Sequence, residues 1–134
     1  MNKPLLVGDC NPLHLAGWGP LYPYPRLSAG GKLCQKILRL HPQEYLRRYD
    51  RANLCHVKWD METARRRAAE LAARPHPVII LFGGRVCRAF KVYSEPFYVR
   101  GRFIVFPLVN SLRRPWSQGA RELARDMMRD AGAY

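Results

Sequence analysis

Short, uniformly apolar runs alternate along this chain with longer segments whose apolar positions recur every three or four residues. Pro4-Leu5-Leu6-Val7, ended by Gly8, is too brief for a helix and predicts a buried strand. Asp9 to Leu27 holds two glycines and four prolines among three aromatics, which prevents regular structure and predicts a long shaped loop. Ser28 caps an expected helix running to about Leu40, with Leu33, Ile37 and Leu40 on one face, and Pro42 opens a short one through Tyr49. Ala52 to Val57 predicts a second strand, and Asp60 then caps a helix that ends near Arg74, before Pro75 and Pro77. Val78-Ile79-Ile80-Leu81-Phe82 is the clearest strand, apolar throughout and therefore covered on both faces; Gly83-Gly84 and a short helix through Phe90 follow. Phe97 to Pro107, turning at Arg100-Gly101, predicts an extended pair that ends in a fourth core strand, Phe103 to Phe106. A last helix starts at Ser117 with Ala120, Leu123, Ala124, Met127 and Met128 inward.

Strands that alternate with helices predict an α/β fold in three layers, α/β/α, around a small, mainly parallel four-stranded sheet, with residues 1–134 forming a single domain. The segments Gly8 to Pro12, His56 to Asp60, Gly83 to Arg85 and Leu108 to Trp116 each follow a strand, so they gather at one edge of that sheet. In open α/β sheets the carboxyl edge is where ligands bind.

Charge adds what the pattern does not contain. Lysine and arginine number 23 against 10 acids, a formal +13, spread along the chain instead of gathered in one tail. A polyanion is the expected partner; a merely basic protein or one bound to anionic membrane is the alternative. No run is long enough to span a bilayer, and the apolar stretch after Met1-Asn2-Lys3 is too short for a signal-peptide core. An intracellular protein of cytoplasm or nucleoid, without a membrane partner, is therefore expected. Cys10, Cys34, Cys55 and Cys87 lack the close spacing of zinc or iron–sulfur ligands and read as reduced thiols, so no metal and no cofactor is expected. Neither do His14, His41, His56 and His76 have metal spacing. Arg65-Arg66-Arg67 spreads over nearly a full helical turn and reads as a solvated face.

With its segments in this order the chain resembles the uracil-DNA glycosylase superfamily, whose members share an α/β/α fold and remove a flipped base from DNA. Gly8-Asp9-Cys10-Asn11-Pro12 is similar to the family's first motif, where the resemblance implies that Asp9 and Asn11 position the attacking water and lie against the sugar, with Gly8, Cys10 and Pro12 beside the base. Leu21-Tyr22-Pro23-Tyr24-Pro25 and the glycine-opened Ser28 to Leu33 resemble the wall of the base pocket, and Asn53 matches an asparagine that reads the Watson–Crick edge. Pro107 to Trp116 lies where the family has His-Pro-Ser-Gly, a wedge residue and a basic residue. There the likeness breaks: Leu108 takes the histidine's place and Val109 that of the second proline, while Asn110, Ser111, Leu112 as wedge and Arg113-Arg114 as phosphate clamp remain. Lys32, Lys58 and Arg85 complete the expected DNA contacts.

Two functions follow: a monofunctional glycosylase that hydrolyses the N-glycosidic bond of uracil or another altered base, or a binding module that keeps fold and pocket without turnover. Leucine donates no hydrogen bond to a departing base, and one such donor is worth about 10²–10³ in rate; His56, His14 or a backbone amide would have to replace it. The residues also have plainer readings. Asp9 and Asn11 suit a turn before Pro12, Asn53 a strand end, the aromatics a small core inside their own loop, and Arg113-Arg114 a solvated loop. In either function the expected partners are single- or double-stranded DNA and a replication or repair protein, and the protein is expected to be monomeric.

Overall fold

The apolar runs form the centre of a sheet. The computed structural model describes residues 2–92, 97–107 and 116–134. Strands β1 (Leu5–Gly8), β2 (Asp50–Asn53), β3 (Ile79–Phe82), β4 (Tyr98–Arg100) and β5 (Phe103–Phe106) lie in the order β2-β1-β3-β5-β4. Four of them are parallel, in the register Leu5 with Asp50 and Ile79, and Ile79 with Phe103. β4 is antiparallel to β5 through a turn at Gly101, whose φ of +58° suits glycine. The sheet thus has five strands and not four, because the extended segment before Gly101 pairs as an edge strand.

Alternate residues of the central strands face opposite layers. Leu6, Ile80, Phe82, Ile104 and Phe106 pack with helices α1 (Ala29–Lys32, continued by a wider π turn over Leu33–Ile37), α2 (Pro42–Arg48) and α5 (Gln118–Asp130). Leu5, Val7, Ile79, Leu81 and Val105 pack with α3 (Met61–Ala72) and α4 (Gly84–Ala89). The architecture is α/β/α. Each large side chain buried this way contributes about 1.5–3 kcal/mol. Helix starts follow their caps: Ser28 accepts from the Gly31 amide at 3.0 Å, Asp60 from Thr63 at 2.8 Å and Ser117 from Ala120 at 3.1 Å.

Three expectations need correction. β2 covers Asp50–Asn53 and not Ala52 to Val57, because this edge strand pairs with β1 alone and needs no apolar run; beyond Asn53 the chain bends as Cys55 Sγ contacts the Asp60 amide at 3.4 Å. The first helix ends at its cap Leu38, where Arg39 turns left-handed at φ +54°. Leu123 is exposed, because the inward stripe of α5 is shifted toward Arg125, whose buried guanidinium donates to the Ile37 carbonyl at 2.6 Å.

Candidate nucleic-acid site at the carboxyl edge of the sheet

β1 and β2 end side by side, and hydrogen bonding continues past both strand ends. The Leu54 amide donates to the Gly8 carbonyl at 3.2 Å, Cys55 to Asp9 at 2.9 Å, and Asn11 to His56 at 3.1 Å. The loop after β1 is therefore fastened to the loop after β2 before it enters a 3-10 turn over Leu13–Trp18.

Side chains complete the fastening. Asn11 Nδ2 donates to the Gly19 carbonyl at 2.7 Å and to Leu15 at 3.3 Å, while Asn11 Oδ1 accepts from Asn53 Nδ2 at 3.2 Å. Asp9 Oδ1 accepts from the Cys10 amide at 2.7 Å, and its Oδ2 accepts from Arg85 Nε at 3.1 Å and Nη2 at 2.8 Å. The Arg85 guanidinium also stacks over Trp59, 4.5 Å from the ring centroid. Both side chains of this ion pair are largely buried, so it lies between the weak surface case and the costly buried one.

The opposite wall is made by close backbone approach. A Cβ on Gly30 would fall 2.2 Å from the Tyr22 carbonyl oxygen, and one on Gly31 2.3 Å from that of Pro25. Only glycine lets α1 sit on residues 21–26 at that distance. Leu21, buried with φ +50°, is held there by Tyr45, whose hydroxyl donates to its carbonyl at 2.7 Å. Burial raises the Tyr45 phenol well above its ordinary pKa, so this donor keeps its proton.

Between the two walls lies a cavity of about 300 Å³, at the small end of the ligand-pocket range. Gly8 through Pro12 and Asn53 line one side, Leu21 and Pro25 to Ala29 in part the other, and Phe82, at the end of β3, is in its lining. His14, Leu15 and Lys32 also line it. Most surfaces are apolar, and Asp9, Asn11 and Asn53 supply the polar groups on the β1 side.

No family model, curated protein or solved structure matches the chain. The resemblance to the glycosylase superfamily thus rests on the residues quoted for it, and each can be set against the geometry. Gly8, Asp9, Cys10, Asn11, Pro12, Lys32 and Asn53 are brought together around the cavity. Tyr22 and Tyr24 are not in its lining; they stand with Trp18 at a much smaller cleft beside it. His56 is exposed and borders a separate open depression with Arg67, across the Asn11–Asn53 pair. Lys58 is exposed on the bend after β2, and Arg85 is engaged by Asp9 and Trp59. Leu108, Asn110, Ser111, Leu112, Arg113 and Arg114 lie outside the described residues. Trp116, the end of that segment, is buried against Phe82, Phe97 and Phe106.

Sequence reasoning missed Phe82, Leu15 and Leu27 as cavity residues, whereas Leu21 and Ser28 stand in the stretches expected to wall the pocket. Phe82 was readable only as a strand residue, although its place at a strand's carboxyl end was a usable signal. Among the described residues no cluster of histidine, cysteine or acidic side chains is arranged to hold a metal, and no helix is long and apolar enough to cross a membrane.

Proposed function

We propose that this chain is a nucleic-acid-binding protein that receives one unstacked base, most simply from DNA, in the cavity between the β1 loop and α1. The observation that carries this reading is the amide of Asn53 beside an apolar cavity closed by Phe82. One Asn53 hydrogen goes to Asn11, which leaves an amide hydrogen and a carbonyl oxygen for the donor and acceptor edge of a base. The formal +13 supplies attraction to phosphate.

Base excision is the second reading, and the Asp9 carboxylate in the cavity wall favours it. A negative charge fixed there by Arg85 offsets the positive charge that develops on a sugar when its base departs. Asn11 is less suited to catalysis than to support: both its amide hydrogens can be taken by loop carbonyls and its oxygen accepts from Asn53, so only the oxygen's remaining lone pair can hold a water. Recognition without turnover is accordingly the reading we place first.

One set of labelled oligonucleotides, each carrying a single altered base, tests both. Binding is expected in the micromolar range or tighter at low salt and to weaken steeply as salt rises. Asn53→Ala should narrow the differences among bases more than it lowers overall affinity, since edge contacts specify while phosphate contacts position. Affinity indifferent to salt would refute the nucleic-acid reading. Alkali-labile abasic sites after incubation would move excision to first place.

A further inference from the structure

The large apolar side chains that remain exposed are not scattered. Of the six among the described residues, Leu13, Trp18, Tyr24 and Leu27 come from one loop of fifteen residues, at 79%, 51%, 46% and 69% exposure. The other two, Val99 and Leu123, sit singly on β4 and α5. Trp18, Tyr22 and Tyr24 form a row, with ring centroids 5.5 and 6.1 Å apart and planes tilted by 39° and 52°. The cleft they border shares Asn11, Pro12, Leu15, Leu21, Ser28 and Ala29 with the cavity, so the row begins at the cavity's own wall.

We propose that this row is a second binding surface, on which the bases flanking the one in the cavity stack, and that the protein therefore prefers single-stranded nucleic acid. The inference rests on the base-binding reading of the cavity and adds strand preference to it. In a duplex, the neighbours of an extruded base remain paired, and the only faces freed look into the gap between them, which a row of rings on the protein surface does not enter. A single strand offers every face, and aromatic platforms of this kind bind with little regard to sequence. The mutual tilt of the rings suits bases splayed apart better than a continuous parallel stack. Three prolines, Pro20, Pro23 and Pro25, restrict the loop and lower the entropy lost when bases dock.

A lipid surface is the competing occupant for exposed leucine and aromatic side chains on a basic protein. Binding to anionic lipid is built from several cations set among the apolar residues. The loop from Leu13 to Leu27 has one, Arg26. Its aromatic rings beside a cavity whose β1 side presents Asp9, Asn11 and Asn53 favour a nucleic acid.

The test compares fluorescence anisotropy of a labelled strand of about twelve thymidines, alone and annealed to its complement, with the intact protein at one salt concentration. The single strand is expected to bind at least tenfold more tightly. Trp18→Ala and Tyr24→Ala should each lower its affinity about 5- to 150-fold, the size of a lost base stack, with duplex affinity and the salt slope unchanged. Both residues are about half exposed, and an unaltered melting temperature would verify that the variants fold. Equal or tighter duplex binding, with single-strand affinity untouched in both variants, overturns strand preference but leaves the base-binding reading standing. No binding to either form defeats that reading itself. Binding to phosphatidylserine vesicles, or self-association in sedimentation, that is lost in Trp18→Ala while single-strand affinity is retained would give the row to lipid or to a second copy and overturn the inference.

Discussion

Replacing Gly30 by alanine puts the contact between α1 and the 21–26 loop under direct test. The added Cβ would meet the Tyr22 oxygen at 2.2 Å, the Leu21 carbonyl carbon at 2.3 Å and the Leu21 oxygen at 2.4 Å. Ordinary contact needs roughly an ångström more, and all three atoms are backbone, so no side chain can rotate away. Three effects combine. Overpacking of a well-packed region costs about 1–3 kcal/mol. Moving Leu21 threatens the buried bond from Tyr45, worth about 1–3 kcal/mol if its hydroxyl is left unpaired. Alanine's better helix propensity returns about 1 kcal/mol. The net expectation is a loss of about 2–4 kcal/mol, a large part of the total stability of a small domain. Urea titration followed by far-ultraviolet circular dichroism would read this as a midpoint about 1–2 M lower. Gly119→Ala is the control: it lies in α5 with open space around it and should stabilise by about 0.5–1 kcal/mol. If both variants shift the midpoint the same way, or Gly30→Ala shifts it by less than about 0.5 kcal/mol in free energy, the tight seat of α1 on the loop is refuted, and with it the account of how the cavity wall is built.

Stability should also fall at high pH. Burial pushes the Cys34 thiol up to about 11 and the Cys87 thiol up to about 12, so above pH 9 the unfolded chain has released protons that the folded one retains. The unfolded state then binds fewer protons, and stability declines by at most about 1.4 kcal/mol per pH unit for each thiol until the folded value is reached; urea midpoints at pH 8 and pH 10 check this, and a steady or rising midpoint would contradict it. Arg102 should matter to stability alone: it donates to the carbonyls of Arg74 at 2.7 Å, of His76 at 2.9 Å and of Ala72, closing the end of α3. Arg102→Met is expected to lose about 2 kcal/mol with oligonucleotide affinity within twofold of the parent, and a marked fall in affinity would place a binding surface at that edge.

Which parts of this fold were legible in the sequence depends on what each element buries. β1, β3 and β5 are covered on both faces, so their apolar runs announce them. β2 pairs on one side only and buries little besides Ala52, so its Asp-Arg-Ala-Asn carries no strand pattern, and the apolar residues just after it were taken for the strand instead. On α5 the arginine at 125 reads as solvent-facing by type, yet it is buried because its charge reaches the Ile37 carbonyl. The candidate site divides in the same way. Residues contributed by strand ends, Gly8 to Pro12 and Asn53, could be grouped from topology alone. The far wall depends on how a proline-rich loop folds and on contacts such as Tyr45 to Leu21, which join positions 24 residues apart and leave no local signal.

The chain's charge shows how little a sequence total says about a surface. Arg102 and Arg125 bind backbone carbonyls, so they add to the formal +13 without being aimed at a ligand. Arg102 precedes β5 and therefore lies at the amino edge of the parallel strands, opposite the cavity. Arg47 and Arg48 share Glu44, Arg67 meets Glu70 and Arg129 meets Asp126, so these pairs are partly neutralised where they stand. At the cavity itself Asp9 cancels much of the charge of Arg85. A phosphate near the cavity is also drawn by the long-range field of the whole protein, which salt screens within about 10 Å. Among the described residues, the cavity lining holds one lysine, beside a row of exposed rings. Under the base-binding reading, stacking on those rings adds to a phosphate attraction that salt weakens, the combination expected of a surface that takes an unpaired strand.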